Sequence, residues 1–257
     1  MAKLLLGNSI AEKKDVLIKG KYGCEYVLPN LLENISFEIF INGIYEEATS
    51  DYFARRLPKN GVFLDLGANI GTITIPLRRK RQDARIVCVE AAPWLFGYLQ
   101  NNLTRNKFTD VTAINKALYF KDNETLDFYS PDEKFGKGSL SPVFTKEGVK
   151  VTTITLDTLV KEAGLPGVDI IKIDVEGYEY HVFQGGSALL SGPNAPDILF
   201  EFADWAEELA GLKKASAQMI LKNYGYSLFE FDEKGGLHAL EGIMPEGNAM
   251  LLATKRS

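Results

Sequence analysis

The chain has 257 residues, 46% of them hydrophobic and 25% charged, which suits a globular protein with a substantial core and excludes a disordered or fibrous one. Its 29 Lys and Arg against 34 Asp and Glu give a formal charge of −5, so no nucleic-acid partner is expected. Cys24 and Cys88 are too few for a disulfide framework, no C-x-x-C spacing occurs, and His181 and His238 stand far apart, so cysteine and histidine mark no metal centre.

Met1–Ile10 carries only the short run Leu4-Leu5-Leu6, too little for a secretory leader. No segment reaches the apolar length of a membrane span, so a cytoplasmic location is expected. Asp15–Lys19 and Glu25–Pro29 read as short strands around Gly20 and Gly23, and Phe37–Ile41 as another. Glu46–Leu57 reads as a helix, with Ala48, Tyr52, Phe53 and Leu57 near helical spacing, ended by Pro58. Residues 1–60 therefore form an N-terminal extension or cap, and residues 61–257 the main domain.

From Gly61 strands and helices alternate. Val62–Leu66 is a strand, Ile70–Arg81 a helix, Arg85–Glu90 a strand with Cys88 as a buried, inert thiol, and Pro93–Asn106 a helix. Val111–Leu118, Asp169–Val175 and Ile198–Phe202 are further strands, Ala215–Tyr224 is a helix, and Ser227–Phe231 with Ala249–Ala253 form a closing pair. Continuous apolar runs are how parallel strands covered on both faces read. The fold class is therefore α/β: a Rossmann-like, doubly wound, mostly parallel sheet with an antiparallel closing pair. An insertion near 119–156 breaks the rhythm. In it Thr125–Tyr129 and Lys150–Leu156 alternate like exposed antiparallel strands about the loop Gly136–Pro142. The cations of Arg78–Arg81 read as a solvated helix end, and the aromatics Tyr224, Tyr226, Phe229 and Phe231 as core.

The strongest chemical signal is Asp65-Leu66-Gly67-Ala68-Asn69-Ile70-Gly71, which leaves an apolar strand and opens a helix. Gly67 permits a tight turn, Asn69 tolerates unusual dihedrals, and Gly71 allows close helix–strand contact. A dinucleotide site uses G-x-G-x-x-G with a pyrophosphate on the helix end. Here a carboxylate ends the strand, where it repels a pyrophosphate and suits a ligand with an ammonium group or hydroxyls, such as S-adenosylmethionine. The alternative is a plain turn between strand and helix. Glu90, 19 residues after Gly71, ends the second strand where an acid meets ribose hydroxyls; its alternative is an exposed loop acid.

These residues resemble the FkbM-type methyltransferases, a branch of the class I S-adenosylmethionine enzymes. The matching pieces are Phe63–Gly71, Val89-Glu90-Ala91 with Pro93, Asn115-Lys116-Ala117-Leu118, Thr155-Leu156-Asp157-Thr158-Leu159 and, most specific, Ile171-Lys172-Ile173-Asp174-Val175-Glu176-Gly177-Tyr178-Glu179 with Gly185-Gly186. They span roughly Gly43 to Phe202. The resemblance implies S-adenosyl-L-methionine as cofactor and methyl transfer to an oxygen of a sugar, lipid or secondary metabolite. The partner is then a small-molecule acceptor with a hydroxyl group; a homo-oligomer is left open. It also implies that Asp65, Gly67 and Asn69 hold the methionine part, with Ala68, Gly71 and Thr72 completing the loop. Glu90, with Ala91, binds the ribose, and Asn115 to Ala117 border the adenine. The loop after the fourth strand, starting at Asp174, faces the methyl group.

The Lys172-Asp174-Glu176 row reads without the family. Strand side chains alternate, so these three share one face, opposite Ile171, Ile173 and Val175. A buried Lys172 needs an acid partner, and a purely structural ion pair is the alternative to a catalytic one. Glu176 either belongs to the crevice or caps the next helix. No third ligand joins Asp174 and Glu176, so no metal is assigned. The catalytic candidates are Lys172 together with Asp174, His181 and Glu201, the last three as general bases. Three rivals stay open: a nicotinamide-nucleotide enzyme on a similar sheet, a methyltransferase of RNA, and a non-catalytic cofactor-binding partner.

Overall fold

The computed structural model describes residues 13–143 and 145–256. Met1–Ile10, read above for a leader, lies outside the described residues. The extension starts with an antiparallel hairpin of β1 (Lys14–Lys19) and β2 (Glu25–Asn30). Helices α1 (Asn34–Asn42) and α2 (Glu47–Arg56) follow. The expected strand Phe37–Ile41 is thus part of α1. The ends decide it: the Glu33 carboxylate accepts the Asn34 N–H at 2.7 Å, and Gly43, with φ 75°, closes the helix in the left-handed conformation. Local capping outweighs the β-forming side chains Phe37, Ile39 and Ile41.

The main domain runs through β3 (Val62–Leu66), α3 (Thr74–Lys80), β4 (Arg85–Val89), α4 (Pro93–Arg105) and β5 (Thr112–Ile114). The insertion holds β6 (Ala117–Leu118), β7 (Thr125–Phe128) and β8 (Val149–Ile154), a small sheet in which β6 is parallel and β7 antiparallel to β8. The chain continues with α5 (Leu156–Glu162), β9 (Ile170–Ile173), α6 (Glu179–Gln184), α7 (Ser187–Ser191) and β10 (Asp197–Ala203). It ends with α8 (Asp204–Leu209), α9 (Ser216–Asn223), β11 (Ser227–Phe231), β12 (Leu237–Ala239) and β13 (Asn248–Thr254).

The large sheet has the order β12-β11-β13-β10-β9-β3-β4-β5. Strands β5, β4, β3, β9 and β10 are parallel, and β13 lies antiparallel between β10 and β11. The Rossmann-like sheet with its antiparallel closing pair is therefore present. Helices cover both faces. Leu159, Val182, Phe183 and Leu221 pack on Leu64, Leu66, Ile171 and Phe200, while Tyr52, Phe53 and Leu77 pack on Phe63, Ile86, Ile170 and Leu199. Cys88 is fully buried and unpaired in β4. Among the described residues, no helix is long and apolar enough to cross a membrane.

Three boundaries move for local reasons. Helix α3 starts at Thr74 instead of Ile70, because Asn69 and Gly71 take positive φ and hold the preceding turns open. The run Val111–Leu118 divides between two sheets at Asn115-Lys116, where the Asn115 amide donates to the carbonyls of Glu90 and Ala91. The strand read as Lys150–Leu156 stops at Ile154, since Thr155 caps α5 by accepting the Thr158 N–H at 3.1 Å. The cations of Arg78–Arg81 are also less solvated than expected: Arg78 pairs with Asp110, Lys80 with Asp51 and Arg81 with Asp83.

The extension is fastened to the main domain by polar side chains of α4. Asn102, fully buried, accepts the Val27 N–H at 2.7 Å and donates to the Ile70 carbonyl at 3.0 Å. Asn106 accepts the Glu25 N–H and donates to the Glu25 carbonyl. Replacing Asn102 by Ala strands two buried backbone groups, so Asn102→Ala is expected to cost about 2–4 kcal/mol in urea denaturation. A loss under about 0.5 kcal/mol, the level of an ordinary surface change, would mean that the hairpin is held by its apolar contacts alone.

Candidate active site

Strand order reverses between β3 and β9: one half of the sheet grows toward β5, the other toward β10. Open α/β sheets bind ligands at the carboxyl ends of strands where this happens. A cleft opens at that place, lined from the first loop by Gly67, Asn69 and Thr72 and from β4 by Glu90 and Ala91. Lys172, Asp174 and Glu176 line it from β9 and the following turn. The loop is pinned to β4 by the Gly67 and Ala68 N–H groups, which donate to the Val89 carbonyl at 3.0 and 2.9 Å. Gly67 has φ 80°, and a Cβ there would lie 1.9 Å from the Asp174 carbonyl oxygen. Only glycine lets the ends of β3 and β9 approach this closely.

The charges are layered. Asp65 and Lys172 are direct cross-strand neighbours, both buried. Lys172 Nζ donates to the Gly67 carbonyl at 2.9 Å and lies 3.4 Å from Asp174 and 3.8 Å from Asp65. Burial pulls the Lys172 pKa down, but Asp174, Asp65 and Glu46 outweigh it and hold the ammonium above its ordinary value. Burial pushes the Asp65 carboxyl up, opposed by Lys172 and by the Thr74 hydroxyl, which donates at 2.6 Å. Glu90 accepts the Asn69 and Ala92 N–H groups, both at 2.9 Å, one on each oxygen. Burial raises its pKa to about 7 despite those bonds. Each oxygen keeps a lone pair, so Glu90 can still accept from a sugar hydroxyl.

Beyond Asp174 lies a second acidic group. Carboxylate oxygens of Asp174, Glu176 and Glu201 fall within 4.8 Å of one another. The sequence reading found no third ligand beside Asp174 and Glu176; the structure brings Glu201 from β10 to that place. Lys137 from the insertion already supplies a cation, 3.2 Å from Glu176. Burial and then the neighbouring Asp174 raise Glu176 to about 7 and Glu201 to about 8. Glu176 does not cap α6. Glu179, the first residue of α6, instead turns back on the preceding loop, its two oxygens accepting the Val175 and Gly177 N–H groups at 3.0 and 3.1 Å, which holds the left-handed turn at Glu176 and Gly177.

Several residues named from sequence stand elsewhere. Asp65 is fully buried behind Lys172 and does not line the cleft. Ala68 and Gly71 shape the loop without lining it. Asn115 and Ala117 are also off the lining; Lys116 and Leu118 take that place because Asn115 turns back onto the Glu90 backbone. His181 is outside the cleft, its ring within 5.2–5.5 Å of the rings of Tyr119, Phe120, Tyr178 and Tyr180. Burial lowers its pKa, and Nδ1 has no hydrogen-bond partner. Gly136 and Gly138 of the loop Gly136–Pro142, a segment expected to meet the acceptor, line the cleft. Lining residues not singled out from sequence are Tyr45 and Glu46 from the extension and Phe128 and Phe135 from the insertion.

A mostly parallel sheet with one antiparallel strand beside its last parallel one, a glycine turn at the switch point and an acid at each of the first two strand ends define a class I S-adenosylmethionine-dependent methyltransferase. The residues fit that cofactor: the surplus of carboxylates on the lining, Glu46, Glu90, Asp174 and Glu176 against Lys116 and Lys172, suits a cationic nucleoside. A family model for the methyltransferase FkbM domain matches residues 65–228, and the chain belongs to this family. Methyltransferase sdnD of Sordaria araneosa is 30% identical over 174 residues, covering 55% of this chain and 67% of that protein. Hexuronic acid methyltransferase AglP of Haloferax volcanii is 29% identical over 136 residues, covering 53% of this chain and 54% of AglP. Among solved structures, SMU.1697c of Streptococcus mutans in complex with SAH is similar with a TM-score of 0.45 at 8% identity, over 80% of this chain and 96% of that one.

Two outcomes are expected. Asp65→Asn leaves Lys172 under-neutralised in a cleft that takes a cationic ligand, so cofactor affinity falls at least about tenfold in calorimetry; unchanged affinity would show that Asp65 serves packing alone. Glu90, Glu176 and Glu201 have folded-state pKa values raised above 4.5. Their contribution to stability is therefore fully present below that value and is lost as pH climbs through about 7 to 8. The cofactor-free protein should melt a few degrees lower at pH 8 than at pH 5, and Glu201→Gln should flatten that slope. Parallel pH profiles for the two proteins would contradict it.

Proposed function

We propose that the chain transfers the methyl group of S-adenosylmethionine to a hydroxyl oxygen of a small polar acceptor, foremost a sugar. The observation that carries this reading is the carboxylate group Asp174, Glu176 and Glu201, with all three oxygens within 4.8 Å and two pKa values near 7 and 8. A hydroxyl must lose its proton as its oxygen becomes bonded to carbon, and a base with a pKa near the working pH serves that best. A name for AglP that includes a hexuronic acid supports an acceptor rich in hydroxyls.

When bound, S-adenosylmethionine supplies a methyl group already activated on a sulfonium, so the chain's task is chiefly positioning. In this reading Glu90 takes the ribose hydroxyls, and the apolar wall of Leu95, Leu118, Phe128 and Phe135 takes the adenine. Gly67, Asn69 and Thr72 face the methionine part. Lys172 orients Asp174, and Asp174 with Glu201 receives the acceptor's proton. His181 has no part, since its ring faces the aromatic group and not the cleft. Residues 14–56 act as a wall of the site on a catalytic domain of residues 61–256.

The test is incubation with S-adenosylmethionine labelled in its methyl group and a panel of sugars, uronic acids, polyols and phenols. Label on an oxygen is expected. Asp174→Ala should lower transfer by about 100-fold or more while S-adenosylhomocysteine still binds within a few-fold of wild type. Label on nitrogen alone, or undiminished transfer by the variant, would sink the reading.

A further inference from the structure

Glu46 belongs to the extension, outside the 65–228 family match, yet it lines the same cleft as Gly67, Lys172 and Asp174. Its backbone is unusual. At φ 45° and ψ 54° it occupies the left-handed region, which residues with a Cβ rarely adopt, and its side chain makes no capping bond to α2. A carboxylate before a helix normally turns onto the first free N–H groups. Here the chain is bent so that the carboxylate points elsewhere. Burial raises the Glu46 carboxyl above its ordinary value, opposed first by the Lys172 ammonium.

The cleft has two kinds of polar lining. Glu90 stands among the apolar side chains, and Glu46 and Asp174 line the cleft together with Lys172, whose ammonium both hold above its ordinary value. Asp65, also near that ammonium, is buried behind it and already paired. Two carboxylates besides Glu90 and Glu176 therefore share the lining with one lysine whose charge Asp65 already meets, an excess of negative charge on a partly buried wall. S-Adenosylmethionine and S-adenosylhomocysteine both carry an α-ammonium at the end opposite the adenine, and a carboxylate in a low-dielectric wall is the strongest simple partner for it.

We infer that Glu46 binds the α-ammonium of the cofactor's amino-acid end, so that the N-terminal extension supplies part of the cofactor site. The backbone strain at Glu46 keeps the carboxylate in the cleft.

The test compares two ligands by calorimetry: S-adenosylhomocysteine, and 5′-methylthioadenosine, which keeps the nucleoside and thioether and lacks the amino-acid end. Glu46→Gln should weaken S-adenosylhomocysteine at least about tenfold and leave 5′-methylthioadenosine within about twofold. Glu46→Gly removes the carboxylate while relieving the left-handed strain. It should melt no lower than wild type and show the same selective loss. Wild-type affinity of Glu46→Gln for S-adenosylhomocysteine would overturn the inference. So would an equal loss for both ligands, which would mean a damaged cleft and not a missing contact.

Discussion

A lysine in the middle strand of a parallel sheet has little water to turn to, and the groups near it must answer its charge. Lys172 does so through the Gly67 carbonyl, Asp174 and Asp65. Each of these belongs to a separate part of the site: the glycine turn, the end of β9 and the interior of β3. An unpaired ammonium at this depth would cost several kcal/mol. The contacts that meet that cost also tie the loop to the two strands. The turn is thus held in one geometry by an electrostatic demand as well as by the steric one at Gly67, where the β3 and β9 backbones nearly touch. The two constraints act at the same point and fix the floor of the cleft.

The walls come from elsewhere. The hairpin, α1 and α2 pack on the face of the sheet that carries Asp65 and Lys172, and deliver Tyr45 and Glu46 to the rim. The insertion reaches over the top, where the Asn69 amide donates to the Phe135 carbonyl at 3.2 Å and Lys137 meets Glu176. Phe135, almost fully buried, packs edge-on to Trp94 of α4, so this cover is part of the core. A cleft with a rigid floor and walls from two added segments lets floor and walls vary independently.

The floor was legible in the amino-acid sequence because its constraints are local. Gly67, Asn69 and Gly71 are needed for backbone angles that few residues adopt, and Glu90 ends a strand whose apolar run is plain. Lys172 announced a partner because a charge in an apolar strand requires one. The walls were legible as segments, the extension and the loop Gly136–Pro142, but not in most of the side chains they deliver. Phe37 to Ile41 has strand-forming side chains, and its helix depends on Glu33 and Gly43 at the ends. Glu46 looks like the first residue of a helix, and nothing in its sequence neighbourhood announces the left-handed backbone that it takes before α2. Glu201 sits 27 positions from Asp174 and meets it only through the pairing of β9 with β10. Asp65 shows the opposite error. Its motif was read correctly, but a strand-end acid was taken to face the ligand when Lys172 stands between.

That intervening lysine changes how the acidic character of the site should be understood. With Asp65 matched to Lys172, the charge that meets a ligand comes from Glu46, Glu90, Asp174 and Glu176, against Lys116 of the same lining and Lys137, which pairs with Glu176. A pyrophosphate brought to this turn would face carboxylates on three sides, and the helix that should receive it does not begin until Thr74, beyond a stretch of turns. The usual anion site of an α/β sheet, free N–H groups at a helix start, is therefore displaced from the cleft. In its place the Asn69 N–H is given to Glu90. The same donor that would grip a phosphate in a dinucleotide site here holds a carboxylate, and that exchange turns a phosphate-binding fold into one that takes a cationic nucleoside.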